Sequence, residues 1–331
     1  MVELVTNVDV LIVGAGFAGL IAANRIQQRG QRVAVLDKGR SVGGRMASRR
    51  LGSGVADHGA QFFTVREQAF QEWVDRWIEE KLVYRWSMGW SDGSLAPLKE
   101  DGHPRYAVRG GMNALAKRIA RDIDEVRVNI RIKSVKMEGE HWVLEDDLGR
   151  FFGGRSVLLT PPVPQSLELL NAGNVQLDED EREALEAVEY MPCLTGMFRI
   201  KDHVTLPAPG AIQRRNSPIS WIANNRQKGI SDETIITVQA DGVYSAQLWD
   251  SDDERVLKAL RTDMRVYLPK EAEIVEEQLK RWKYSWPTNL YPDRCMLPTD
   301  LPGLVLAGDS FGGARMEGAF LSGLAAASAI S

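Results

Sequence analysis

Cysteine is scarce in this 331-residue chain: Cys193 and Cys295 are far apart, and neither has a CxxC partner. That argues against a disulfide framework and against a zinc site, both of which need clustered ligands. The four histidines, His58, His103, His141 and His203, form no ligand pattern, so no metal is expected. Basic charge is not in excess, with 41 Lys+Arg against 45 Asp+Glu. Neither nucleic acid nor a membrane surface is therefore an expected partner. No apolar run reaches bilayer length. The N-terminal apolar run is broken by Asp9 and lacks a basic leader, and no Asn-x-Ser/Thr acceptor occurs. The expectation is a cytoplasmic protein. Its hydrophobic share of 44% and charged share of 26% suit a soluble chain with a sizeable core, long enough for two domains.

Glycine, by contrast, is placed with a pattern. Val8 to Val13 is a β-branched apolar run of strand length, followed by Gly14, Gly16 and Gly19 in GxGxxG spacing. The periodicity then becomes helical through Leu20, Ala23 and Ile26 until Gly30, and Arg32 to Leu36 reads as a second strand ending at Asp37. Gly14 suits a tight turn, Gly16 lets a pyrophosphate approach the backbone, and Gly19 permits close helix–strand packing. The helix N-terminus at Phe17 and Ala18 favours an anion, and Asp37 can accept from ribose hydroxyls. A strand–glycine turn–helix–strand–acid series of this kind predicts a bound dinucleotide.

A second glycine turn, Ser41-Val42-Gly43-Gly44-Arg45-Met46, follows Asp37-Lys38. Here the chain resembles the flavin-containing amine-oxidase superfamily, whose members carry such a GGR turn after the ribose-binding acid. The resemblance implies FAD, with Lys38, Gly44, Arg45 and Met46 near the cofactor and Arg45 at its pyrophosphate. Asp57 to Thr64 is similar to the segment that runs under the flavin ring, which implicates Gly59, Ala60, Gln61 and Phe62. Arg109-Gly110-Gly111-Met112 is similar to the return into the cofactor domain. Ile132, within the strand-like stretch Val126 to Val135, is implied to meet adenine through its backbone, and Thr160 follows the strand Val157 to Leu159 near FAD. At the C-terminal end, a strand over Gly303 to Ala307 leads to Gly308-Asp309 and then to Glu317, Gly318 and Ala319 opening a small-residue helix. In the family the aspartate bonds the ribityl chain and the helix start faces the flavin pyrimidine ring, where it would stabilise negative charge. Within the superfamily, Asp37-Lys38, the GGRM turn and the Gly-Ala-Gln-aromatic segment most resemble the renalase group.

The expected fold is α/β. A Rossmann-like FAD-binding domain, amine-oxidase/p-hydroxybenzoate-hydroxylase-like, would comprise 1–66, 105–165 and 283–331. An inserted α+β substrate domain built on an antiparallel sheet would take 67–104 and 166–282. Apolar spacing at Phe70, Trp73, Val74, Trp77, Ile78 and Leu82 predicts an amphipathic helix over 67–82. Helices are expected over Asp178 to Val188 and Asp252 to Leu268, each opening with acidic residues. Strands are expected at Leu194–Ile200, Ile219–Ala223, Thr234–Gln239 and Val243–Trp249. Trp282 and Tyr284 share strand parity and could wall a substrate pocket with Phe63 and Gln61.

Gly308-Asp309-Ser310-Phe311-Gly312 also matches GxSxG, but a hydrolase of that type needs a histidine after the serine, and the last one is His203. Neither cysteine sits in a recognisable flavin-attachment sequence, so non-covalent FAD is expected. The absence of an acid–base or nucleophile motif fits hydride removal from an activated C–H next to nitrogen. The renalase resemblance implies isomeric dihydronicotinamides (2- or 6-dihydro-NAD(P)) as small-molecule substrates, with O2 reoxidising the flavin to give hydrogen peroxide. A flavin amine oxidase and a non-catalytic FAD-binding protein are the alternatives.

Overall fold

The computed structural model describes residues 4–94 and 100–330. Its strands in the first half are β1 (Leu4–Val13), β2 (Val33–Leu36), β3 (Ser48–Leu51), β4 (Gly54–Asp57), β5 (Val83–Ser87), β6 (Arg105–Val108), β7 (Glu125–Arg127), β8 (Ile132–Glu138), β9 (His141–Asp146) and β10 (Phe151–Leu159). In the second half they are β11 (Glu189–Ile200), β12 (Ala211–Gln213), β13 (Ile219–Asn224), β14 (Thr234–Ala240), β15 (Ile274–Asn289) and β16 (Leu304–Leu306). The helices are α1 (Phe17–Gln28), α2 (Gln68–Glu79), α3 (Met112–Ala120), α4 (Val163–Ala172), α5 (Glu179–Glu186), α6 (Gly242–Gln247), α7 (Asp253–Arg265) and α8 (Met316–Ala329). Contacts group the chain into two units: 1–44, 116–189 and 287–331, and 45–115 with 190–286. Segments 45–66 and 105–115 thus cluster with the second unit.

In the first unit, β7, β2, β1, β10 and β16 lie side by side and parallel, and β9 and β8 continue the sheet antiparallel from β10. All of β2 and Val10 to Val13 of β1 are buried, as expected when both faces of a parallel sheet are covered. Helix α8 packs closely on α1: a Cβ at Gly323 would lie 2.5 Å from the Ala18 carbonyl oxygen. This is the expected Rossmann-like α/β sheet. The expected strand Val126 to Val135 is two strands instead, β7 and β8. Asn129, at φ 57°, breaks the run between them, in a backbone conformation that asparagine tolerates better than a β-branched residue does.

The second unit is built on an antiparallel sheet ordered β12-β13-β14-β11-β15. Strand alternation divides its side chains. Leu194, Phe198, Ile200, Ile212, Ile222, Ile236 and Val238 form a core with Val256, Leu257, Leu260 and Met264 of α7. The other face carries Met197 and Ile235, packed on Leu51 and Ala56 of the β3–β4 hairpin, and Trp221, packed beside Phe62. The three expected helices in this part of the chain and the region around it form as α2, α5 and α7, and Asp178 and Asp252 cap α5 and α7. The expected strand Val243–Trp249 is helix α6. Asp241 caps it by accepting from the Tyr244 N–H at 2.7 Å, and buried Ser245 Oγ accepts from the Leu194 N–H, so tertiary contacts override the β-like composition.

Candidate functional site

The glycine turn after β1 is built as a cradle. Gly14 has φ 106°, and a Cβ there would lie 2.4 Å from Thr160 Oγ1, while a Cβ on Gly19 would lie 2.1 Å from the Gly14 carbonyl oxygen. Both glycines are therefore required by packing. Gly16 differs. It has an ordinary φ of −75°, and nothing lies within 4 Å of a Cβ added to it. Its freedom from the protein leaves room for a ligand, at the start of α1, where no side chain caps the helix.

Neighbouring strand ends complete the cradle. Thr160 Oγ1 donates to the Val13 carbonyl at 2.9 Å, and the Gly308 N–H donates to Ser322 Oγ at 2.8 Å. Gly14, Thr160 and Gly308 thus stand at the carboxyl ends of adjacent parallel strands, the usual ligand position in an open α/β sheet. Asp37 ends β2. Its Oδ2 accepts from the Ala15 N–H at 2.7 Å and its Oδ1 from the Gly39 N–H at 2.6 Å. The Ala15 carbonyl accepts from Gly43, and a Cβ on Gly44 would sit 3.5 Å from Gly16 Cα, so the second glycine turn lies against the first. Lys38 reaches Gln165 at 2.9 Å. Ile130 donates its N–H to the Asp37 carbonyl, and Ile132 opens β8 opposite Asp146. At α8, a Cβ on Gly318 would lie 2.2 Å from the Gly313 carbonyl oxygen. Half-buried Glu317 and buried Ala319 flank it, no side chain caps the helix, and half-buried Asp309 follows Gly308. These residues fit a dinucleotide-type cofactor, because they leave two helix starts without a side-chain cap, at α1 and α8, and one glycine that packing does not demand.

In the second unit, the strap 57–63 is held by a buried polar network. Lys228 and Asp57 are both fully buried, and Lys228 Nζ donates to Asp57 Oδ2 at 2.5 Å and to the Gln61 carbonyl at 2.6 Å. Asp57 Oδ1 accepts from Ser48 Oγ at 2.5 Å and from the Met112 N–H at 2.8 Å. The Asp57 carbonyl accepts from Thr237 Oγ1, and the Gly59 carbonyl accepts from Gln239 Nε2. Burial pushes the Lys228 ammonium down against the opposing pull of Asp57, and it pushes the Tyr84 hydroxyl, which donates to the Lys228 carbonyl, up to about 12. Gly59 is dictated by closeness: a Cβ there would lie 2.0 Å from the Arg45 carbonyl oxygen, which accepts from the Ala60 N–H. Met46 is buried, and Arg45 Nη1 donates to the Tyr284 carbonyl at 3.2 Å.

Gln61 donates its Nε2 to the carbonyls of Asp57 and Gly59, leaving its buried Oε1 without a partner. Trp282 Nε1 donates to the His58 carbonyl at 2.8 Å, and its ring stacks on the His58 imidazole at 5.4 Å. Burial, helped by the Arg49 and Lys280 charges, drives the His58 pKa down to about 3. Its Nδ1 is buried without a partner. Phe63 is turned to the core and packs on Tyr106 and Phe70, whereas Tyr284 stands edge-on to Tyr190.

Sequence reasoning missed Lys228, which reads as a loop lysine, and it missed an aromatic cluster. Phe62 lies 4.8 Å from Trp90 and 5.3 Å from Trp221, with Trp86 4.8 Å from Trp90, and the indole N–H groups of Trp90 and Trp221 are buried without acceptors. The only signal for it was the unusual tryptophan density, which marks core as readily as a site. Both thiols are quiet. Burial pushes Cys193 up to about 11 and Cys295 above its ordinary range, so neither is activated toward covalent chemistry.

Residues 82–331 match the flavin containing amine oxidoreductase family, and residues 12–77 match an NAD(P)-binding Rossmann-like domain. The chain belongs to the flavin-containing amine oxidoreductase family. It is renalase-like within it: mouse (Mus musculus) renalase is 24% identical over 95% of this chain and 96% of its own length. Two solved structures share the fold. A candidate protoporphyrinogen oxidase from Exiguobacterium sp. 255-15 superposes with a TM-score of 0.75 at 14% identity, covering 100% of this chain and 99% of its own. A putrescine oxidase redesigned at its cofactor site gives 0.72 at 14% identity, covering 98% and 99%. The protein is a flavin-dependent oxidoreductase acting on a small molecule. No helix among the described residues is long and apolar enough to cross a membrane, and no group of three or more potential metal ligands occurs there.

Proposed function

We propose that this chain is an FAD-dependent oxidase of isomeric dihydronicotinamides, holding FAD non-covalently. When bound, FAD would supply the hydride acceptor for the donor carbon and the centre that O2 reoxidises, so that dihydronicotinamide, a proton and O2 would give NAD(P)+ and hydrogen peroxide. The cradle of Gly14, Gly16, Phe17, Ala18 and Asp37 would hold the adenosine and pyrophosphate, with Gly308, Asp309 and the start of α8 toward the ribityl chain and flavin ring. For Arg45, Met46 and the residues from Gly59 to Phe62, the support for a role toward FAD is the family resemblance of their segments, and Gln61 and Trp282 would orient the donor.

The observation that carries the reading is the fixed amide of Gln61. Its two donor hydrogens are committed to backbone carbonyls, so its buried Oε1 can only accept. A carboxamide N–H2 is a donor that would satisfy it. The indole N–H groups of Trp90 and Trp221, in the aromatic cluster around Phe62, are likewise buried without acceptors. A dihydropyridine becomes aromatic on losing hydride, so these residues need only orient it and exclude water.

The same aromatic cluster is what an amine oxidase would use as a cage. Here, however, Lys228 Nζ lies 5.0 Å from the Trp86 ring and the Arg105 guanidinium 5.9 Å from the Trp90 ring. Cationic groups already occupy those ring faces, which disfavours an alkylammonium. The test is anaerobic stopped-flow bleaching of the flavin by 2- and 6-dihydro-NAD(P), ordinary NADH and primary amines. Fast bleaching by a dihydronicotinamide isomer supports the reading. Bleaching by amines alone overturns it, and bleaching by no donor favours a non-catalytic FAD protein. Acid precipitation should leave yellow flavin in the supernatant.

A further inference from the structure

Strand β15 presents alternate residues to opposite faces of its sheet. Glu277 and Arg281 face α7 and pair with Arg261 and Asp253. On the other face Glu276 is taken by Arg199 at 3.1 Å, Gln278 accepts from Arg49 at 3.2 Å, and Trp282 donates to the His58 carbonyl. Lys280 lies between these last two, with Nζ 4.6 Å from the Trp282 ring centroid. Among the described residues, neither Arg49 nor Lys280 forms an ion pair with a carboxylate, although most buried or half-buried cations of this unit do. Arg49 is held at Gln278, two residues from Lys280 on the same face of β15, and Lys280 stands over Trp282, whose ring stacks on His58. Two like charges held together around an imidazole whose Nδ1 is buried and unpartnered form an arrangement that an anion would relieve.

We propose that Arg49 and Lys280, beside His58 and Trp282, form a subsite for the diphosphate of a dinucleotide substrate. The proposal rests on the dihydronicotinamide reading above and names where that substrate's charge is met. Lys280 is two residues from Trp282 on the same face of the strand, with its Nζ over the indole ring. A diphosphate would be met there, beside the His58–Trp282 stack, by Lys280 and by Arg49, which is held at Gln278. The planar, five-donor Arg49 suits phosphate oxygens, while Lys280 adds a point charge. A simple alkylammonium would instead meet two cations.

The experiment uses the FAD-loaded protein, so that the cofactor's own pyrophosphate is already in place, and compares wild type with Arg49→Gln, Lys280→Gln and the double variant. Calorimetric titration with inorganic pyrophosphate should show binding that weakens about tenfold or more in the double variant. FAD occupancy and thermal midpoint should be unchanged, and Arg49→Lys with Lys280→Arg should retain binding. With 6-dihydro-NAD the KM should rise about tenfold at near-constant kcat, while 6-dihydronicotinamide riboside, which has no phosphate, should shift less than about twofold. Unchanged pyrophosphate binding, equal losses on both donors, or loss of FAD from the double variant would each overturn the subsite. If no dihydronicotinamide reduces the flavin, the functional reading fails, and the pyrophosphate titration still decides the subsite by itself.

Discussion

Lys228 and Asp57 form an ion pair, 2.5 Å from nitrogen to oxygen, in which neither side chain has any solvent exposure. The two are 171 residues apart in sequence. Because Lys228 also donates to the Gln61 carbonyl, the pair ties both ends of the strap 57–61 to one ammonium group. An isolated buried charge is far more costly than a buried pair.

Lys228→Met should therefore destabilise the fold by about 3–5 kcal/mol, since it leaves Asp57 charged and unpaired. Adding Asp57→Asn should recover a good part of that loss. Urea unfolding of both single variants and the double variant checks this. Additive losses would mean that the pair is not coupled.

His58 gives an acid-side signature. Its folded pKa of about 3 lies below the ordinary value of 6.5, so the unfolded chain takes up this proton first as pH falls. The stability contribution is complete above pH 6.5 and is lost between pH 6.5 and about 3, with a limiting slope of about 1.4 kcal/mol per pH unit. His58→Gln should flatten that part of the stability–pH profile, which chemical denaturation at several pH values will show.

Gly16→Ala separates cofactor from fold. The added methyl meets no protein atom within 4 Å, and the φ of −75° is ordinary, so the apoprotein's unfolding midpoint should be unchanged. FAD affinity should fall because the methyl occupies the pyrophosphate's approach. Gly59→Ala is the opposite case: a Cβ 2.0 Å from the Arg45 carbonyl oxygen must displace backbone, destabilising the fold by about 1–3 kcal/mol. Thermal unfolding and fluorimetric FAD titration of both variants provide the comparison.

Asp37→Ala should weaken FAD binding by about 1.5–3 kcal/mol, because charge-assisted hydrogen bonds are lost. The structure adds a second route to that loss. The carboxylate also accepts from Ala15 and Gly39, so its removal loosens the glycine turn itself. Asp37→Glu should be milder. Full FAD occupancy of Asp37→Ala after dilution would remove Asp37 from the cofactor site.

The glycine turn and the acid that follows it were legible in the sequence because they are local. Gly14, Gly16, Gly19 and Asp37 belong to one strand–helix–strand unit, in which spacing along the chain translates directly into position, and β1, α1 and β2 form where the periodicity puts them. The strap at 57–63, the small-residue helix α8 and the shared face of Trp282 and Tyr284 were readable for the same reason. Where composition misled, at Val243–Trp249 and Val126 to Val135, a capping aspartate and a left-handed asparagine outweighed β-branched and aromatic propensity. The pairing of Lys228 with Asp57, the gathering of Phe62, Trp86, Trp90 and Trp221, and the unpaired cations Arg49 and Lys280 depend on contacts between segments distant in sequence. Nothing in a lysine, a tryptophan or an arginine tells whether it is buried, paired or left alone. Only the closing of the antiparallel sheet over the 57–63 strap decides that, by removing water from some of these groups and supplying partners to others.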